Sequence, residues 1–341
     1  MHSFAELRAR SVVAVAACAL VASCSSKPRS TGATAASASA ATSTVAASAS
    51  AAAKVGTRLV LLGTKGGPRV GGPGSAKNPS TLLLVNGHPY VVDCGYGTSM
   101  QLVGAGVPLN TLGHVFITHH HSDHVLELGP LLYNAWVTGL RSPVEVHGPP
   151  GTSQMVADYW AYLRLDIETR IADEGRPDPR GLVTTREFEA PGVILQNDEV
   201  TVTAARVRHP PLTAAYAYRF ATRDGSVVIS GDTTYDPTLA DFAKGADVLV
   251  HEVMHPDGLE KLLKRVPNAT TLRAHLLASH TVPADVGKIA AAAGVKTLVL
   301  SHLVPGDDPS LSDERWTADI RQHFDGRIIV GKDLLEIPVG P

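Results

Sequence analysis

From about residue 55 onward, short apolar runs alternate with longer stretches in which apolar residues recur at helical spacing. Short β-branched runs that end at Gly, Pro or Asn-Gly are typical of strands, and the longer periodic stretches are typical of helices. The predicted strands are TRLVLLG, STLLLVNG, HPYVVDCG, HVFITH, PVEVHGPPG, EVTVTAARVRH, AYAYRF, GSVVISGD, DVLVHE and KTLVLSH. Repeated β and α elements of this kind predict a layered α/β sandwich.

Helical spacing defines the segments between these runs. The predicted helices are DHVLELGPLLYNAWVTGL, TSQMVADYWAYLRL, the short DPTLADFAKG, and VPADVGKIAAAAGV. Residues 166–182 are polar and rich in Pro and Gly, which predicts an excursion loop in the middle of the chain.

The first 54 residues follow another pattern. Arginines precede the apolar run SVVAVAACALVAS, which is the layout of a secretory signal and is too short to span a membrane. Its end, VASC, resembles a lipobox and predicts a signal peptide over residues 1–24, with lipid on the sulfur of Cys24. A plain secretory peptide is the alternative. Residues 25–54 are almost entirely Ala, Ser and Thr and predict a flexible tether to a folded domain at 55–341. We therefore expect an exported bacterial lipoprotein, periplasmic or cell-surface, held at a membrane only through that anchor.

Charge and composition narrow the chemistry. The formal net charge is −2, so nothing in the composition suggests a basic surface for nucleic acid, and we expect no nucleic-acid partner. The chain has 15 histidines, and imidazole is the commonest metal ligand. Beyond the leader, Cys94 is the one cysteine. It has no partner for an internal disulfide, and its position at a strand end predicts a buried, inert thiol.

Five predicted strands end in His, Asp or Glu: VFITHHHSDH, ARVRH, VVISGD, DVLVHE and TLVLSH. Ligands of α/β sheets gather at strand ends, so we expect one cleft to collect these side chains. In the first segment, alternate side chains of a tight loop can point the same way. His119 and His121 are then predicted to share one metal ion, Asp123 and His124 to turn toward a second, and His120 to point away. Imidazole and carboxylate ligands suit Zn²⁺, and also Mn²⁺ or Fe.

This His-x-His-x-Asp-His motif resembles that of the metallo-β-lactamase superfamily. The later segments VRHPP, SGDTTY, HEVM, SHTV and LSHLVP resemble, in order, the motifs of its ribonuclease Z-like branch, whose arylsulfatase-like and phosphodiesterase-like members look most similar. The resemblance covers about residues 57–337. It implies a four-layer αββα sandwich and two divalent metal ions, with zinc the first expectation. It also implies the ligand sets: His119, His121 and His209 for one ion, Asp123, His124 and His302 for the other, and Asp232 as the bridge.

The resemblance further implies catalytic roles beside the metals. His280 would protonate the leaving oxygen, next to Glu252, and Asp123 would orient the attacking water. The chemistry is consistent, because an ester leaving group needs a proton and imidazole titrates near neutral pH. His251 and His255 are predicted to be supporting or surface residues. The glycine-rich stretch 63–74 lacks the Gly-Lys-Ser/Thr of a phosphate loop and is expected only to form a rim of the active site.

Three functions remain open. The first is an exported hydrolase of small phosphodiesters or aryl sulfates that uses a hydroxide shared by two ions. The second is a ribonuclease Z-like endonuclease, which the short, mixed-charge segment 166–186 disfavours because tRNA-processing members carry a long basic arm there. The third is a non-catalytic metal- or ligand-binding lipoprotein, which would need neither His280 nor Glu252. Asp232 argues against β-lactam hydrolysis, since true β-lactamases use another ligand there. The resemblance also allows for a homodimer.

Overall fold

The computed structural model describes residues 56–340. Two seven-stranded sheets form the centre of the fold. The first sheet has the strand order β14-β1-β2-β3-β4-β5-β6 and the second has the order β13-β12-β11-β10-β9-β8-β7. The strands are β1 Thr57–Gly63, β2 Ser80–Val85, β3 His88–Val92, β4 His114–Phe116, β5 Val144–Gly148, β6 Val183–Glu187, β7 Gly192–Gln196, β8 Val200–Arg206, β9 Tyr216–Thr222, β10 Ser226–Ile229, β11 Val248–Met254, β12 Thr297–Val304, β13 Arg327–Val330 and β14 Leu335–Pro338.

Each sheet is antiparallel on one side and parallel on the other. In the first sheet β14, β1, β2 and β3 pair antiparallel, and β3 to β6 pair parallel. The second sheet repeats this, with β7 to β10 antiparallel and β10 to β13 parallel. The hairpin between β2 and β3 turns at Asn86-Gly87, where both residues have positive φ, as a tight two-residue turn requires.

Helices pack on the outer faces of both sheets. They are α1 Thr98–Gly104, α2 Ser122–Val125, α3 Leu128–Val137, α4 Thr152–Tyr162, α5 Arg164–Glu174, α6 Thr238–Phe242, α7 Pro256–Lys264, α8 Leu272–Ser279, α9 Pro283–Ala293 and α10 Asp313–Ala318. No helix within residues 56–340 is long and apolar enough to cross a membrane.

Three apolar cores separate the layers. Successive residues of a strand face opposite sides of its sheet, and on β1 Leu59 and Leu61 join one core while Val60 and Leu62 join another. The core shared by both sheets contains Phe116, Tyr218 and Val299, and the outer cores bury Trp136 of α3 and Trp316 of α10. This arrangement is the predicted four-layer αββα sandwich.

The predicted excursion loop at 166–182 is wrong over most of its length, because residues 164–174 form helix α5. Ile167 is the only buried residue of helix α5, so the helix has little apolar periodicity. Charged pairs four residues apart, such as Asp166–Arg170 and Arg170–Glu174, stabilise the exposed face instead. Gly175, with φ 65°, ends the helix.

The sequence pattern also merged two helices and missed several elements. The single helix predicted at 123–140 is divided into α2 and α3. Strands β6, β7, β13 and β14 and helices α1, α7, α8 and α10 were not predicted. The predicted signal peptide, Cys24 and the tether at 25–54 lie outside the described residues.

Candidate metal centre

The polar strand ends of both sheets meet at one edge of the sandwich. His119, His121, Asp123 and His124 follow β4 in the first sheet. In the second sheet His209 follows β8, Asp232 follows β10, and Glu252 and His302 lie within β11 and β12. All of the side chains named here except His121 are buried, so the expected cleft is present.

The first group of ligand candidates surrounds His121. Its Nδ1 atom lies 3.1 Å from His119 Nε2 and 2.9 Å from His209 Nε2. The Asp232 Oδ2 atom lies 3.8 Å and 3.9 Å from those two Nε2 atoms. These four donors are mutually close enough to hold one ion, and three imidazoles with a carboxylate form a ligand set that suits zinc.

The second group uses the same carboxylate oxygen. Asp232 Oδ2 lies 3.0 Å from His302 Nε2 and 3.3 Å from His124 Nε2. Asp123 Oδ2 lies 3.3 Å from His302 Nε2 and 3.7 Å from His124 Nε2. Asp232 Oδ2 therefore lies close to the donors of both groups, and the resemblance implies a bridging role for this residue. His302 has φ 43°, a conformation rare outside glycine, which indicates that the surrounding structure fixes it.

The electrostatics of the cleft favour bound cations. Burial lowers the pKa of His121 and of His209 to about 4 and the pKa of His119 well below its usual range, so these imidazoles are neutral and have lone pairs for a metal. Burial acts to raise the pKa of Asp232, but the positive charges of protonated His302 and His124 outweigh it and keep the carboxylate ionised. Despite burial, the nearby carboxylates raise the pKa of both of these histidines, and bound cations would take the place of their protons. A buried carboxylate needs compensating positive charge.

Hydrogen bonds on the far sides of the His124 and His209 rings aim their ligand nitrogens. Asp93 accepts from His124 Nδ1 at 2.8 Å, and the Ser279 carbonyl accepts from His209 Nδ1 at 2.9 Å. His124 Nε2 and Asp232 Oδ1 are then left buried without a hydrogen-bond partner among the described residues. Outer partners of this kind orient metal-binding histidines. Sequence reasoning missed Asp93, although it ends the strand VVD and so follows the same strand-end rule.

Glu252 and His280 lie against the second group. Glu252 Oε1 is 3.3 Å from His280 Nδ1 and accepts hydrogen bonds from the Thr233 and Thr281 amides at 3.2 Å and 3.0 Å. The His280 ring stacks on His302, with ring centroids 5.4 Å apart. His280 also offers a nitrogen close to the donors of Asp232 and His302, so geometry alone allows it either a ligand or a proton-transfer role.

A cavity of about 620 Å³ opens onto these residues. The glycine-rich segment forms one wall, as predicted, and the Gly67 amide donates to Asp123 Oδ2 at 2.8 Å. A Cβ at Gly66 would come within 2.6 Å of the His302 ring, so the rim requires glycine there. Helices α7 and α8, which were not predicted, form the opposite apolar wall and contribute His275, a histidine that no motif in the sequence singled out.

Cations lie at the mouth of this cavity. Lys65, Arg69 and Arg265 all line it. Asp307 forms ion pairs with Arg69 and with Arg265, the latter at 3.0 Å. These two pairs connect the glycine-rich rim to the segment after α7. Burial lowers the pKa of Lys65 to about 8, which leaves it mainly protonated at neutral pH. The same lining holds the carboxylates of Asp123, Asp232 and Asp307, so cations and anions face each other across the cavity.

The remaining candidates lie apart from the centre. His120 turns away and pairs with Thr152 Oγ1 at 2.9 Å. His251 is buried with Nδ1 against its neighbour's carbonyl, and His255 caps α7. Cys94 is buried, as predicted, and burial raises the pKa of its thiol well above the ordinary value.

The model of the metallo-beta-lactamase superfamily matches residues 77–280, which contain most of the cleft. This chain belongs to that superfamily. The superfamily assignment agrees with the layered fold and with the clusters of His and Asp able to hold metal.

Relatives within the superfamily refine the picture. The chain is 35% identical to a Ribonuclease Z of Mycobacterium bovis over 83% of this chain and 98% of the relative. Among solved structures, the metallo-beta-lactamase fold protein YhfI from Bacillus subtilis aligns with a TM-score of 0.61 at 21% identity, covering 82% of this chain and 98% of that one. The short form of human tRNase Z aligns with a TM-score of 0.59 at 18% identity, covering 83% and 100%. The two solved structures support the fold alone.

The expectation of no nucleic-acid partner is wrong. The sequence relatives that match along nearly their whole length are ribonucleases by name. Net charge misled the prediction because it is a property of the whole chain and does not show where individual cations lie, such as Arg69 and Arg265 in the cavity lining. The same relatives favour the ribonuclease alternative over the small-ester hydrolase and give no support to an aryl sulfate substrate.

Proposed function

We propose that this superfamily member is a ribonuclease Z-like phosphodiesterase that cleaves RNA with two bound divalent ions, most readily zinc. The observation that carries the proposal is the 35% identity to Ribonuclease Z over 98% of the relative's length. The two ligand groups that meet at Asp232 support it, because paired ions are suited to hydrolysis of a phosphodiester.

The proposed ligands are those of the two groups. One ion would be held by His119, His121 and His209, the other by Asp123, His124 and His302, and Asp232 would serve both. When bound, two such ions activate a water and neutralise charge on the phosphate. Asp123 is fixed by the Gly67 amide, so its carboxylate can orient that water.

The proposed catalytic group of the chain itself is His280. It lies in the cavity lining beside the metal ligands, where it can give a proton to the departing ribose oxygen. Glu252 is held by two backbone amides and faces His280 Nδ1, so it orients the ring and leaves Nε2 for the substrate. Arg69 and Arg265, which share Asp307, can pair with phosphates of the RNA as it enters. The ammonium of the buried Lys65 donates to the Gly67 and Arg69 carbonyls and supports the rim.

An RNA-cleavage assay tests the proposal. The zinc-loaded protein should cut a structured RNA with a single-stranded 3′ extension, dialysis against a chelator should abolish cutting, and added Zn²⁺ should restore it. Rising salt should weaken binding, since phosphate contacts release counterions. Parallel assays with bis(p-nitrophenyl) phosphate and an aryl sulfate provide the contrast. Turnover of either small ester with no cleavage of RNA would contradict the proposal.

We also propose that the chain is an exported lipoprotein anchored at Cys24. The motif VASC after a short apolar run supports this. Cys24→Ala should then move the protein of the native host from the membrane fraction to the soluble fraction, while its specific activity on RNA stays unchanged. Unchanged fractionation would contradict lipidation. The result also decides which RNA the enzyme encounters, because an anchored, exported enzyme meets RNA outside the cytoplasm.

A further inference from the structure

A second cluster of metal-binding side chains lies outside the centre described above. His114 opens β4, and Glu145 and His147 lie two residues apart on β5. The strands are parallel neighbours in which His114 pairs with Glu145 and Phe116 with His147. Residues in register, or two apart, face the same side of a sheet. All three side chains therefore project from one face, at positions that the centre does not use.

Their donor atoms have the spacing of ligands. Glu145 Oε2 lies 3.5 Å from His147 Nε2 and 3.8 Å from His114 Nδ1, and all three donors lie within 4.8 Å of one another. Zinc–ligand bonds of about 2.0–2.2 Å in a tetrahedron separate the donors by roughly 3.3–3.5 Å. The imidazole–carboxylate separations of the main centre extend from 3.0 Å to 3.9 Å, and both separations of this cluster fall between those values.

Hydrogen bonding leaves these donors free. His147 is 2% exposed, yet neither of its ring nitrogens has a hydrogen-bond partner among the described residues, and neither has His114 Nδ1. Buried polar atoms without a partner are rare and call for an explanation. Burial lowers the pKa of His147 to about 4 and also lowers that of His114, so both rings are neutral, the form that binds metal.

The surroundings hold the cluster in place. His114 stacks on Tyr90 and His147 stacks on Phe116, with centroid distances of 5.1 Å and 4.8 Å. Arg186 donates to Glu145 Oε1 at 3.0 Å, which satisfies one carboxylate oxygen and leaves Oε2 facing the two rings. The side chains of His114 and Glu145 are 23% and 27% exposed, so solvent reaches the cluster from one side.

We propose that His114, Glu145 and His147 form a further zinc site, separate from the hydrolytic centre, with a fourth position open to water. Two imidazoles and one carboxylate with an open position form a known zinc ligand set. The ion would tie β4, which precedes residues 119–124, to its parallel neighbour β5. The proposed site shares no residue with the hydrolytic centre, so zinc binding there does not depend on whether that centre cleaves RNA.

Equilibrium dialysis against Zn²⁺ followed by elemental analysis tests this site. The wild-type chain should retain one more zinc ion than either Glu145→Gln or His114→Gln. Loss of a residue that only orients a ligand lowers metal affinity by roughly 10–100-fold. Loss of a ligand itself should lower the zinc affinity of these two variants by more than that. His88→Gln is the matched control, since His88 is an exposed histidine nearby that pairs with Glu199. It should retain the wild-type zinc content.

The main centre provides the second comparison. Glu145→Gln should leave RNA cleavage unchanged, and Asp232→Ala should still retain the zinc that Glu145→Gln loses. Circular dichroism checks that each variant is folded. The partly exposed residues His114 and Glu145 are substituted instead of His147, because the buried His147 ring stacks on Phe116 in the core. Equal zinc content in wild type and Glu145→Gln would overturn the site, whatever the result of the RNA assay.

Discussion

Asp232→Ala should remove metal from both halves of the centre together and reduce cleavage of RNA and of bis(p-nitrophenyl) phosphate to background. The reason is its position: one carboxylate oxygen, Oδ2, lies 3.0 Å from His302 Nε2 and 3.3 Å from His124 Nε2, and also within 4 Å of the first group. Metal ions supply several kcal/mol of transition-state stabilisation, so the rate should fall by at least about 10³-fold.

Elemental analysis of the purified variant, with circular dichroism to verify its fold, checks this expectation. His120→Ala is the matched control, because it removes a neighbouring histidine whose ring pairs with Thr152 instead of the centre. That variant should keep the wild-type metal content of two ions in the hydrolytic centre. If Asp232→Ala lost one of those ions and kept the other firmly bound, Asp232 would be a ligand of a single ion and the bridging assignment would be wrong.

The order of the strands could largely be predicted from the sequence, since buried runs such as TLLLV in β2 are apolar on both faces. The same property hid which face meets which core: Leu83 packs between the sheets and Leu82 and Leu84 pack beneath helices, yet all three are leucine. The helices were less predictable, because α1, α5, α7, α8 and α10 were missed. Helix α5 was missed because exposed ion pairs, which leave no apolar period, stabilise it.

The candidate ligands were predictable because chemistry and local position coincide at the strand ends. The bridging position of Asp232 came from resemblance, since nothing in its own segment fixes its distance from residues 119–124. Asp93 and the cluster around His147 were overlooked for different reasons. The role of Asp93 depends on its hydrogen bond to His124, which lies 31 positions away in the chain. The second cluster depends on the register between β4 and β5, which brings together residues 31 positions apart and cannot be read from either strand alone.

His280→Ala should separate proton transfer from metal binding. When an RNA phosphodiester is hydrolysed, the ribose oxygen departs as an alkoxide that must be protonated. When the nitrophenyl ester is hydrolysed, nitrophenolate departs without a proton. If His280 gives that proton, the variant should cleave RNA more slowly by roughly 10²–10⁴-fold, the usual contribution of a general acid. Hydrolysis of bis(p-nitrophenyl) phosphate should fall much less, and bound metal should stay at the wild-type content.

Two variants on neighbouring histidines complete the comparison. His302→Ala should lose metal and fail on both substrates, because His302 Nε2 lies among the ligand atoms of Asp123 and Asp232. His275→Ala removes another imidazole from the same cavity. The His275 Nδ1 atom is engaged with Ser279 at 3.2 Å, and the ring lies farther from the centre than that of His280. This variant should therefore affect hydrolysis of both substrates alike. Equal losses on RNA and on the nitrophenyl ester in His280→Ala would rule out the acid role. Loss of metal in that variant would make His280 a ligand, which its proximity to Asp232 and His302 allows.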